Sequence, residues 1–141
     1  MFRNMNVKLK FLKVKSVPKL FWSSPSASTV LPPLISVFIL ILGLFLFGLG
    51  EALLISSGIG VSPWTVFAQG VKNITGWSIG FATFIISIFV MILWVPLRQM
   101  PGFGTIMNII IIALVLDLVL PFLPKFNHLS LKIAEGLIGV I

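Results

Sequence analysis

Long apolar runs alternate along this chain with short breaks rich in glycine, proline and serine. Three stretches hold no charged residue: 20–50, 73–97 and 99–116, the last continuing past Asp117 to position 124. A spanning helix needs about 20 mainly apolar residues, because each adds about 1.5 Å against a hydrocarbon layer of about 30 Å. Runs such as LISVFILIL (34–42) and MNIIIIALVL (107–116) lack the two-residue alternation of barrel strands. Helices pair every backbone N–H and C=O within the segment, as lipid requires. The pattern therefore predicts an all-α polytopic membrane protein: three transmembrane helices, a short re-entrant or interfacial helix, and a partial fourth span.

Punctuation sets the boundaries. A first helix over about 34–57 starts after Pro32 and Pro33, which suit a helix entrance. A second covers about 78–95, closed by Pro96, and a third about 105–123, ended by Pro121 and Pro124. Between the first two, SSGIGVSPWTVFAQG (56–70) breaks the apolar run. Ser62 before Pro63 has the form of an N-cap followed by proline at the first helical position, and PWTVFAQGV predicts a helix of about two turns. Gly58 and Gly60 permit the reversal ahead of it. After KFNHLSLK, the nine residues IAEGLIGVI are too few to cross a bilayer, so the sequence is expected to stop partway into a fourth helix. The organisation is a leader (1–33), a three-helix repeat (34–124), and a loop with an incomplete helix (125–141).

Small residues mark expected helix contacts. Gly48, Ala52 and Ser56 recur every four positions, Gly43 and Gly50 fall seven apart, and Gly76 and Gly80 flank the start of the second span. Such residues let backbones approach closely in lipid.

Composition agrees with the pattern. Of 141 residues, 58% are hydrophobic and 9% charged, with mean hydropathy +1.18. A soluble domain carries about 25% charged residues, so this chain cannot cover a water-exposed surface. The net charge of +7 is concentrated: Arg3, Lys8, Lys10, Lys13, Lys15 and Lys19 all lie in the leader, without an acidic neighbour. Beside a spanning helix such a tail sets orientation and contacts anionic lipid head groups, with no need of nucleic acid. It either lies on the membrane surface or trails as a positive tail. The apolar segment after it runs on without a small-residue cleavage site, as a retained anchor does and a secretory signal does not. Placing the leader and Arg98 on one side, opposite Lys72, Lys125 and Lys132, puts the amino terminus in the cytoplasm. Trp22 and Trp94 then mark the inner interface, and Trp64 and Trp77 the outer one.

Candidate chemistry is sparse. The chain has no cysteine, which excludes disulfides and thiolate sites. With a single histidine, His128, and three acidic residues, it shows no nucleophilic triad, phosphate loop or metal motif, so neither an enzyme, a cofactor nor a metal centre is expected. Asn73-Ile74-Thr75 matches a glycosylation sequon, relevant only in a secretory pathway. Glu51 and Asp117 fall in the outer halves of their spans, where a carboxylate costs a few kcal/mol unless protonated, paired or hydrated. One hypothesis has both acids facing an outward cavity and coupling proton or cation binding to a substrate held near Ser62. The short helix could hold an anionic group at its N-terminus, which carries about half a positive charge. The competing reading makes it an interfacial connector. Candidate binding residues are thus Glu51, Gly58, Gly60, Ser62 and Asp117.

GLGEALLISSGIGVSPWTVFAQGVKNITGWSIG, followed by PGFGTIMN before the third helix, resembles the YczE-type bacterial membrane proteins, relatives of the YitT group. The similarity covers about 43–123 and excludes the leader. It implies a bacterial plasma-membrane location, two similar halves in tandem with the second nearly missing here, and permease-like behaviour. The leading expectation is a transporter-like component of unknown substrate, acting with its missing half, a partner or a second copy as a homodimer. The alternative is a non-transporting scaffold or regulator working through its glycine faces and basic tail.

Overall fold

The computed structural model describes residues 32–141. The leader, its contact with anionic lipid, and Trp22 lie outside the described residues. Five helices follow in order: α1 (Leu34–Ser57), α2 (Pro63–Thr75), α3 (Ile79–Leu93), α4 (Phe103–Val119) and α5 (Leu129–Val140), with a 3-10 turn at Leu120–Phe122 after α4. No strand occurs among the described residues.

The expected first helix forms over the predicted interval and ends where Gly58 takes a left-handed conformation, φ 65°, its N–H reaching the Leu54 carbonyl. The short helix is longer than expected. It runs through Gly70 to Thr75, 13 residues, because the left-handed position that ends it is Gly76, φ 77°. The second and third helices each stop short of their predicted ends, α3 at Leu93 and α4 at Val119, before the prolines expected to terminate them. The fourth begins at Leu129, four residues before its apolar run.

α1 packs against α4 and α5, and α3 packs against α4 and α2. Buried contacts are made largely by small side chains, as expected where lipid provides no hydrophobic drive between helices. Ala52, Ile79, Ile112 and Leu116 form one core cluster, and Ala68, Ala82 and Ile86 dock α2 on α3. A Cβ on Gly48 would come within 2.9 Å of Val115 on α4. At the α1–α5 crossing a Cβ on Gly50 would strike the Gly139 carbonyl, and one on Gly139 would lie 2.7 Å from the Gly50 carbonyl oxygen. The contact is reciprocal and made of backbone. Ser56 Oγ donates to the Pro124 carbonyl at 3.1 Å, tying α1 to the segment before α5.

Two expected packing glycines make no helix contact among the described residues: nothing of these lies within 4 Å of a Cβ on Gly43 or on Gly76, and Gly76 takes the left-handed turn. Large apolar side chains cover the outside: Phe38, Phe89 and Leu118 are each about two-thirds exposed. That surface suits a lipid solvent. α1 and the α4 segment through Phe122 are long and apolar enough to cross a membrane, and a third span exists only if α2 and α3, bent by 111° at their junction, count as one.

Candidate functional site

The break at 58–62 turns the chain so that α2 begins beside the second half of α1. Ser62 is the N-cap, as its sequence context predicted: its Oγ accepts from the Thr65 N–H at 3.2 Å. Pro63 follows and brings no N–H, and the Val66 N–H bonds to the Ser62 carbonyl. Thr65 is buried and its hydroxyl donates to Glu51 Oε2 at 2.7 Å, with Ser62 Oγ 2.9 Å away. The first turn of α2 is thus locked to the acid on α1. Glu51 Oε1 has no partner among the described residues.

Glu51, Ser62 and Thr65 form one end of a half-open cavity of about 360 Å³ lined by α1, α2, α3 and α4. Its walls are mainly apolar, with Ile109, Ile112 and Leu116 on the α4 side. Polar groups interrupt them at helical intervals: Thr83 and Ser87 on α3, Thr105 and Asn108 on α4. Ser87 Oγ is satisfied by the Thr83 carbonyl at 2.8 Å. The side chains of Thr83, Thr105 and Asn108 make no hydrogen bond among the described residues, although Thr83 is only 5% exposed. Trp64 and Trp94 complete the lining, with Phe47 on α1. Among the described residues, Glu51 is the single ionisable residue of the wall. An apolar cavity with a few convergent polar groups is the usual form of a small-molecule site.

The two candidate acids do not come together. Asp117 is outside the lining of this cavity. Its Oδ2 accepts from Ser78 Oγ at 2.6 Å and its Oδ1 from the Gly80 N–H at 2.8 Å. It therefore anchors the start of α3, where N–H groups lack helical partners and negative charge is favoured. Gly80 makes this possible, since a Cβ there would meet the Ala113 carbonyl and the Asp117 carboxyl group. Gly58 serves the turn. Gly60 lines a separate apolar hollow between the end of α1 and α5, beside Ile59 and Gly136.

Sequence reasoning missed three features. Thr83/Ser87 and Thr105/Asn108 sit at i,i+4 and i,i+3 inside apolar spans, and that spacing alone marks a shared polar face. Glu135 on α5 is 6% exposed, and both its carboxylate oxygens lack a partner among the described residues. No group of three His, Asp or Glu side chains converges as metal ligands among the described residues.

Comparison with known proteins places this architecture in a family. The sequence profile described as "Family of unknown function (DUF6198)" matches residues 34–141, and the chain belongs to that family. An "Uncharacterized protein" of Haemophilus influenzae is 38% identical over 129 residues, covering 92% of this chain and 58% of that protein. The chain thus spans a little over half the length of this relative. No solved structure matches it.

Proposed function

We propose that this member of the family is a transporter-like membrane component, similar to the YczE-type proteins, that receives a small solute in the cavity between α1 and α4. One observation carries the reading: a carboxylate and several unpartnered polar side chains line a cavity that is otherwise apolar. Unsatisfied polar groups at membrane depth are costly, so a wall that keeps them open is built for something that enters. The bent α2–α3 junction resembles the interrupted helices that frame binding sites in secondary carriers. The protein belongs to the bacterial plasma membrane with its amino terminus in the cytoplasm, on the distribution of basic residues. It works together with the remaining length seen in its longer relative, or with a second copy.

A scaffold reading draws on the face at Gly43, which no described residue covers and where another helix could approach. The two readings part at Ser87. In the cysteine-free background, Ser87→Cys in lipid nanodiscs is expected to react with a small neutral water-soluble thiosulfonate, at a rate within about 100-fold of a free thiol. A scaffold with a sealed core gives no reaction under conditions that label a surface cysteine at Gln99.

A further inference from the structure

The sequence suggests that the start of α2 attracts an anion, and the structure assigns that anion to the protein itself. Pro63 has no N–H, Ser62 Oγ takes the Thr65 N–H, the Ser62 carbonyl takes that of Val66, and the Thr65 hydroxyl is spent on Glu51. Of the first-turn N–H groups only that of Trp64 has no partner among the described residues, and the Glu51 carboxyl group already stands beside this positive end through the Thr65 hydroxyl. Glu51 Oε1 has no partner among the described residues, and none of the described residues of the wall is a Lys, Arg or His.

We infer that the cavity selects a small organic monocation, an alkyl- or arylammonium, with its nitrogen at Glu51 and its apolar body along α3 and α4. This rests on the reading of the cavity as a solute site and gives that site its substrate class. Charge complementarity sets the sign, since a carboxyl group in a largely apolar wall favours a positive charge and penalises a second anion. The aromatic lining near Glu51 acts the same way: Phe47, one helical turn before it on α1, and Trp64, next to Thr65, carry rings whose faces attract ammonium groups. The hydroxyl oxygen of Thr83, unbonded to the described residues, supplies an acceptor for an ammonium N–H group. The apolar wall formed by Ile109, Ile112 and Leu116 accommodates a hydrocarbon body and disfavours a bare, strongly hydrated metal ion.

The test uses Ser87→Cys in nanodiscs with three methanethiosulfonates, one trimethylammonium, one sulfonate and one neutral, each rate divided by its rate with a free thiol. The cationic reagent is expected to react about tenfold faster than the anionic one, since a cavity lined by one sign of charge raises local counter-ion concentration. Adding Glu51→Gln is expected to bring that ratio close to one. Benzyltrimethylammonium should slow labelling of Ser87→Cys, and benzenesulfonate should not, a comparison that needs no change at Glu51 should Glu51→Gln fold poorly. Equal rates, a faster anion, a ratio indifferent to Glu51→Gln, or reaction of the neutral reagent alone each overturn the cation assignment while leaving an accessible cavity. Failure of all three reagents, with the surface control labelled, overturns the solute-site reading as well.

Discussion

At Gly80 a single methyl group would press on the Ala113 carbonyl and stand 2.5 Å from Asp117 Cγ. Gly80→Ala is therefore expected to destabilise the protein by about 1–3 kcal/mol, the usual cost of overpacking, as a lowered melting temperature followed by tryptophan fluorescence in detergent. Asp117→Ala should cost a similar about 1–3 kcal/mol by stranding the Gly80 N–H and the Ser78 hydroxyl. Asp117→Asn, which keeps one oxygen acceptor, should fall between. The Ser62 cap was legible because cap, proline and first turn are adjacent in sequence. The work of Asp117 was not, since its partners lie 37 and 39 residues away. Glu51 could be recognised as an unusual intramembrane acid, but its bond to Thr65 depends on how sharply the chain reverses at Gly58, which composition does not encode.

Helix identity followed from apolar run length, and helix ends followed less well. Glycine and proline offer several stops, and tertiary context chooses among them. Gly70 costs α2 about 1 kcal/mol relative to alanine and is tolerated, while Gly76 ends the helix. The start of α5 escaped notice because its first turn, LSLK, is not apolar enough to extend the run. Its docking can be checked directly. A Cβ on Gly136 would lie 3.5 Å from Ser57 Oγ, with only the flexible tip of Ile59 in the way. Ser57→Cys with Gly136→Cys is expected to close a disulfide on mild oxidation, within range of ordinary disulfide geometry. Quantitative loss of free thiol in the monomer checks it. Persistent thiols would mean that α5 does not pack on α1 as described.

For the whole molecule, the apolar exterior and the all-helical architecture were readable from composition, but the number of crossings was not. α3 has 15 residues, about 22 Å of helix, short of a full hydrocarbon layer by itself. The orientation argued from the basic residues makes this testable. Cysteines at Asn73 and Gln99 are expected to react with an impermeant maleimide from opposite sides of intact cells, Asn73→Cys from outside and Gln99→Cys only after permeabilisation. Labelling of both from one side would mean that α3 does not cross.

The reciprocal approach of Gly50 and Gly139 constrains descent as well as packing. A Cβ on Gly48 meets Val115 at its own Cβ and Cγ1, both 2.9 Å away, so alanine at 115 would not clear it, and a larger residue at 48 is matched only by glycine at 115. At the α1–α5 crossing the obstacle is peptide backbone on both sides, and no substitution at one position can make room for a methyl group at the other. Selection there has no second step to offer. Lineages that keep α5 seated on α1 should hold both glycines unchanged, and lineages that lose one should show the crossing rebuilt along its whole length.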